Sequence, residues 1–235
     1  NLSKLNWFNI GGKTKIYFKP ENLQDLILFL NFYKNRGKIF IVGAGSNVLF
    51  TDQNYDGVVI KLTKNFSNIS LLNKNTIVAG SGVLDRTISE FAMNNNVGGL
   101  EFLSCIPGTI GGGIRMNSGC FGKEIKDVLI SVQVLDKLGK VRTILSDNIK
   151  FGYRKCDLPN DLIFLSASFK GEYKDKIKIK EEMVYLKNKK EISQPTKVKT
   201  GGSTFKNPKD KTNVKVWELI KQSVPSNLSF GDASI

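Results

Sequence analysis

Between Gly98 and Gly122 the chain carries Gly98, Gly99, Gly108, Gly111, Gly112, Gly113, Gly119 and Gly122, and this density constrains the fold more than any other feature. Glycine loses more backbone freedom on folding than any other residue. A run of them is therefore kept where the backbone must pass close to something or enter turns closed to other residues. Pro107 stiffens the approach to Ile106-Pro-Gly-Thr-Ile-Gly-Gly-Gly113. A shorter cluster, Gly43-Ala-Gly-Ser-Asn47, directly follows the apolar run Lys38-Ile-Phe-Ile-Val42. Its glycines allow a tight turn that presents N–H groups as an anion nest, and Ser46 and Asn47 add side-chain donors. A Rossmann fingerprint needs a third glycine opening a helix. Here the loop runs instead into Val48-Leu-Phe50, which reads as extended. The pattern argues against Rossmann binding and leaves a pyrophosphate cradle open, with an ordinary tight turn as the competing reading.

Hydrophobic periodicity sets the elements around these loops. Lys15 to Lys19 reads as a strand closing at Pro20, and 22–35 as a helix with Leu23, Leu26, Ile27 and Leu30 on one face. Lys38–Val42 and Gly57–Leu62 are apolar and β-rich, which gives a βαβ-β pattern the size of a small α/β lobe. A second lobe starts near Thr76 with a strand to Ala79 and an amphipathic helix over 84–94. It closes with strands over 128–135, 140–145 and 162–169, Leu138-Gly139 being the expected hairpin turn. From Gly171 the composition changes: 174–190 is charged and helical, Gln194-Pro195 breaks it, Gly201-Gly202-Ser203 begins a turn, and 214–222 resumes a helix. The expected architecture is α+β, with lobes at 1–65 and 66–171 and a smaller α+β domain over 172–235. The chain stops at Asp232-Ala-Ser-Ile235 with no tail signal and reads as cut, its C-terminal part missing.

The net charge of +14 raises the question of a nucleic-acid partner. The charge is nearly all lysine, spread along the chain. Arginine stands only at Arg36, Arg86, Arg115, Arg142 and Arg154, and no cluster interleaves basic with aromatic residues. A basic nucleic-acid-binding module is the rival from another class, and the expectation is no nucleic acid. A positive field would still attract an anionic ligand such as a nucleotide. No run is apolar over the roughly 18 residues a membrane span needs, and Asn1 to Asn9 does not read as a signal peptide. Cys105, Cys120 and Cys156 are odd in number and not at metal-ligand spacing. They read as reduced thiols in a reducing compartment, so no metal and a cytoplasmic location are expected.

The two glycine loops together resemble the FAD-binding region of flavoproteins of the vanillyl-alcohol-oxidase type. More narrowly, the chain resembles the UDP-N-acetylenolpyruvoylglucosamine reductase family. The resemblance is carried by Asn6-Trp-Phe-Asn-Ile-Gly-Gly12, Gly43-Ala-Gly-Ser-Asn-Val-Leu49, Glu101-Phe102, Ile106-Pro-Gly-Thr-Ile-Gly-Gly112 and Met116-Asn117 with Gly119 and Gly122. It continues through Tyr153-Arg154, Gln194-Pro195, Gly201-Gly-Ser-Thr-Phe-Lys-Asn-Pro208 and Gly231-Asp-Ala233. It implies a two-lobed FAD-binding domain followed by a smaller substrate-binding domain. It further implies non-covalent FAD, NADPH as hydride donor, and a UDP-sugar whose enolpyruvyl ether is reduced to give UDP-N-acetylmuramate. Cofactor-binding positions on this pattern are Gly43, Ala44, Gly45, Ser46, Asn47, Val48, Ile106, Pro107, Gly108, Thr109, Gly111, Gly112, Asn117 and Gly119. Arg154 and Ser203 are the implied catalytic pair, while Tyr153, Lys206 and Asn207 fall to substrate binding.

Elementary chemistry agrees with the pair. Hydride addition to an enol ether bearing a carboxylate drives negative charge onto that carboxylate, and a permanently charged guanidinium stabilises it. A serine is a weak acid, suited only to a centre of carbanion character. Without the resemblance, a surface ion pair is the competing reading of Arg154, and a turn or helix-cap residue is the leading reading of Ser203. The family pattern departs in places. Cys156 stands where serine is more usual after the Tyr-Arg pair, and Gly113 where alanine is common. The glutamate that assists the arginine falls beyond Ile235. The short route from Tyr153-Arg154 to Gly201 matches the type without the extra tyrosine-bearing loop. An oxidase or dehydrogenase sharing only the FAD domain is the nearest rival; many of those tether flavin through histidine, and this chain has none. A monomer is expected.

Overall fold

The computed structural model describes residues 1–34, 36–193, 205–208, 214–225, 227–231 and 233–234. Strands β1 (Thr14–Phe18), β2 (Lys38–Val42) and β3 (Tyr55–Lys61) form a parallel sheet in the order β1-β3-β2, with helix α1 (Leu23–Tyr33) connecting β1 to β2. The central strand carries the continuous apolar run Val58-Val59-Ile60, fully buried, as a strand covered on both faces requires. Asn22 caps α1 by accepting from the Asp25 N–H at 2.9 Å. Leu26, Leu30 and Tyr33 face Val58, Ile60 and Leu62. Helix α1 thus stops at Tyr33, short of the expected Asn35, and β1 and β3 are each shifted one or two residues from the expected ranges.

Five antiparallel strands form the second sheet, ordered Val141–Leu145, Leu129–Leu135, Ile163–Lys170, β5 (Thr76–Gly80) and β4 (Ile69–Asn73). The turn at Leu138-Gly139 joins the first two, with Gly139 at φ +76°. Strand β4 was not expected, because only Ile69 is more than marginally shielded and its residues do not alternate cleanly. Helix α2 (Asp85–Asn94) covers the sheet with Ile88 and Ala92, beside Leu100, Phe102 and Leu103 of a 3-10 turn at Glu101–Cys105. The glycine-dense stretch is not all loop: helix α3 (Ile110–Arg115) starts inside it and buries Ile110 and Ile114. The two sheets share a core, since Leu135, Ile163 and Leu165 join the cluster around α1.

Helix α4 (Lys176–Ser193) packs on the 101–105 turn. Lys174 Nζ pairs with the buried Glu101 carboxylate at 3.0 Å and also with Glu182, while Lys190 Nζ donates to the Cys105 carbonyl at 2.5 Å. The chain divides into two compact units, Asn1–Lys197 and Val198–Ile235, so α4 belongs to the first. In the second unit, α5 (Val216–Ser223) starts two residues later than expected, and Ser229–Phe230 pairs with Ala233–Ser234. Gln194-Pro195 and Gly201 to Thr204, including Ser203, lie outside the described residues. No helix among the described residues is long and apolar enough to cross a membrane.

Candidate flavin and substrate site

The first glycine loop leaves the carboxyl end of β2 and rests on the N-terminal segment. A Cβ on Gly45 would overlap the Leu5 carbonyl, and φ is +73°, so only glycine fits without strain. The Trp7 N–H donates to the Gly45 carbonyl at 3.0 Å. Buried Asn6 stiffens this wall: its amide nitrogen donates to the Leu2 carbonyl at 3.0 Å and the Ile10 carbonyl at 2.7 Å, and its oxygen accepts from Phe8 N–H. The motif at 6–12 is thus the back of the loop.

The second loop is anchored where β5 ends. Gly111 N–H donates to the Ser81 carbonyl and Ile110 N–H to the Val83 carbonyl, both at 2.9 Å, while Asp85 N–H donates to the Gly108 carbonyl at 3.1 Å. The loops, far apart in sequence, meet. Ser46 Oγ donates to the Pro107 carbonyl, and Gly43 lies so near Thr109 that a Cβ would overlap its hydroxyl.

Most glycines of the second loop serve the protein's own packing. A Cβ on Gly108 would reach Asp85 Oδ2 at 2.5 Å, one on Gly111 the Ser81 Cβ at 3.0 Å, and one on Gly113 the Ile125 Cδ1 at 2.6 Å. Gly112 differs: it is exposed and only Thr109 Oγ1, at 3.6 Å, comes near. On the first loop, the N–H groups of Ala44, Gly45, Ser46 and Asn47 have no protein acceptor among the described residues, and Ala44 and Asn47 are exposed. Val48 and Ile106 are half-buried beside them and Pro107 is exposed. A row of unengaged N–H groups on one loop, with an open glycine on the loop fastened to it, suits a diphosphate, so the residues present fit FAD.

Two buried groups under the second loop escape the sequence reading. Asp85 is fully buried and Ser81 nearly so, and the Asp85 oxygens and the Ser81 hydroxyl have no hydrogen-bond partner among the described residues. Burial pushes the Asp85 carboxyl up to about 7. The helix-start position of Asp85 signals a capping acid, and nothing in the residue order reveals that the glycine loop will close over it.

Arg154 sits at the tip of a two-residue hairpin between Phe151–Gly152 and Lys155–Cys156, at φ +56°. Nη1 and Nη2 both reach the Gly119 carbonyl at 3.4 Å, long for hydrogen bonds, and the guanidinium lies 5.5 Å from the Tyr153 ring centroid. No carboxylate among the described residues pairs with it. The surface-ion-pair reading of Arg154 therefore finds no partner there. Asn117, expected at the cofactor, is fully buried with its amide engaged inside the protein. In the second unit Lys206 and Asn207 are exposed, and Asn207 Oδ1 accepts from Val216 N–H at 3.0 Å. All three thiols are free; Cys105 and Cys156 are buried, and burial pushes half-buried Cys120 up to about 12.

Residues 14–145, which span both sheets' glycine loops, match the family model described as FAD binding domain, so the chain is of the FAD-binding class. The chain is 62% identical over all 235 residues to the UDP-N-acetylenolpyruvoylglucosamine reductase of Pelagibacter ubique (strain HTCC1062), covering 78% of that protein. It is 42% identical to the protein of the same name from Rickettsia conorii (strain ATCC VR-613 / Malish 7), again over its full length and 78% of the relative. Among solved structures, the UDP-N-acetylenolpyruvylglucosamine reductase (MurB) from Thermus caldophilus superposes with a TM-score of 0.85 at 27% identity, across 100% of this chain and 82% of that one. The chain belongs to the UDP-N-acetylenolpyruvoylglucosamine reductase family.

Proposed function

We infer that this chain is an FAD-containing, NADPH-dependent oxidoreductase of peptidoglycan precursor synthesis, reducing the enolpyruvyl ether of UDP-N-acetylglucosamine-enolpyruvate to UDP-N-acetylmuramate. The observation that carries this is the fastening of the two glycine loops to each other, in a chain 62% identical to a reductase of that name. The chemistry FAD would supply when bound is hydride transfer from NADPH to the substrate's methylene carbon. Ala44 to Asn47 and Gly112 would hold the diphosphate through backbone N–H groups. Arg154, without a carboxylate partner of its own among the described residues, would bind the enolpyruvyl carboxylate and stabilise the charge that grows there. Ser203 would give its proton to the neighbouring carbon, and Tyr153, Lys206 and Asn207 would contact the UDP-sugar.

The lobes at 1–65 and 66–171 each contain one of the two sheets, which supports reading them as the two FAD-holding halves, with 172–235 leading into the substrate domain. A reducing, cytoplasmic setting accords with three free thiols, and the reading includes a monomer without nucleic-acid or membrane partners. The purified protein is expected to be yellow, to bleach anaerobically with NADPH, and to recover its colour on addition of the enolpyruvyl UDP-sugar. A colourless protein that cannot be loaded with FAD would refute the reading; flavin released intact by acid precipitation confirms that the bond is non-covalent.

A further inference from the structure

Asn117 lies at the end of α3 in the left-handed region, at φ +42°, with no exposed surface. Its Nδ2 donates to Glu124 Oε2 at 2.9 Å and to the Gly152 carbonyl at 3.2 Å, and its Oδ1 accepts from Lys126 N–H at 3.1 Å. One amide therefore ties the segment leaving the second glycine loop to the hairpin that ends in Arg154. Glu124 is itself fixed. Its carboxylate accepts from Asp127 N–H in a reciprocal cap and pairs with Lys126 Nζ at 3.1 Å, and its own N–H donates to Asp127 Oδ2 at 2.8 Å. Glu124 also stands opposite Gly119, whose carbonyl receives the Arg154 guanidinium, in a two-strand ladder with Phe121 at φ +52° and Gly122 at φ +86° in its turn.

Both ends of Arg154 are thus referred to one short segment. Its backbone is held through Gly152 and Asn117, its side chain through Gly119. Two hydrogen bonds at 3.4 Å cannot fix a long side chain alone; the hairpin must be aimed first.

We propose that Glu124 and Asn117 are positioning residues that aim Arg154 at the substrate carboxylate. The proposal rests on the reductase reading for the identity of that carboxylate, while the strut itself can be examined without substrate.

The capping role of Glu124 and its role toward Asn117 separate in two variants. Glu124→Gln keeps an oxygen for both. Glu124→Ser keeps an N-cap oxygen but is too short to reach Asn117. In hydrogen-exchange mass spectrometry on the flavin-loaded protein, Glu124→Ser should speed exchange in peptides spanning 150–158, and Glu124→Gln should not. In anaerobic stopped flow, Glu124→Ser should leave flavin reduction by NADPH unchanged while reoxidation by the enolpyruvyl UDP-sugar slows about ten- to a hundredfold, with Glu124→Gln restoring it. Unchanged exchange at 150–158 in Glu124→Ser overturns the strut. Faster exchange without slower reoxidation, or equal slowing of both half-reactions, overturns its role in aiming Arg154. A wild-type protein that takes up NADPH electrons but never passes them to this sugar counts against the reductase reading alone, since the exchange result stands independently.

Discussion

Ser46 Oγ donates to the carbonyl of Pro107, so a loop leaving the parallel sheet is fastened to a loop leaving the antiparallel one. The junction works only if each loop holds its own shape. At Gly45 that shape needs a positive φ and the closest approach of Leu5. Gly45→Ala would cost about 1–2 kcal/mol for the left-handed backbone, with the overlap added. Flavin content, read as the ratio of visible to ultraviolet absorbance, should collapse. Full occupancy in this variant would place the diphosphate elsewhere.

Asp85 predicts a pH dependence of stability. Its folded carboxyl titrates at about 7, well above the usual carboxylate value of 3.8 in an unfolded chain, because burial disfavours the charge. The folded state therefore holds a proton that the unfolded state has lost. The stability this gives is complete below about pH 4 and disappears as pH rises through 7. Each tenfold in proton affinity is about 1.4 kcal/mol, so the effect amounts to a few kcal/mol. Urea denaturation of Asp85→Asn should show a smaller fall between pH 4 and 8 than wild type. Parallel curves would mean that the carboxyl is ionised and solvated in the folded protein.

Glu101 is nearly fully buried and Lys174 is about a quarter exposed, so Lys174→Ala strands a carboxylate in the core. Breaking such a pair from one side costs about 3 kcal/mol, the low end for buried pairs. Lys174→Met combined with Glu101→Gln should recover most of that loss. A melting curve for Lys174→Ala matching wild type would show Glu182 and Lys174 to be a surface pair with little hold on α4.

Arg154 and Ser203 should separate in the half-reactions. Flavin reduction by NADPH puts no charge on the sugar, so Ser203→Ala should leave it nearly intact. Reoxidation by the sugar should slow by about a hundredfold to ten-thousandfold. Arg154→Ala should strike reoxidation too and weaken sugar binding, because the carboxylate is already charged in the ground state. Equal slowing of both halves in Ser203→Ala would assign that hydroxyl to flavin positioning or a turn.

The loops and most of the elements around them were legible because their signals are local: Gly and Pro punctuation, β-branched runs and the apolar face of Leu23, Leu26, Ile27 and Leu30. What was not legible depends on who faces whom. The glycine density reads as room for a ligand, yet Gly108, Gly111 and Gly113 make room for Asp85, Ser81 and Ile125, partners that only tertiary packing brings near. The side-chain amide of Asn117, engaged by Glu124, Gly152 and Lys126, is likewise a matter of tertiary packing that residue order does not show. Strand β4 was invisible because an edge strand with most of its residues exposed carries little pattern.

At φ +56°, Arg154 occupies a backbone conformation that glycine or asparagine would adopt with less strain. Replacing it with glycine should raise the melting temperature of the chain while removing the only charge at the hairpin tip. Selection for heat resistance and selection for turnover therefore pull this position in opposite directions. A library sorted by thermal endurance alone would drift toward folded, flavin-bearing proteins that accept electrons and have nowhere to send them.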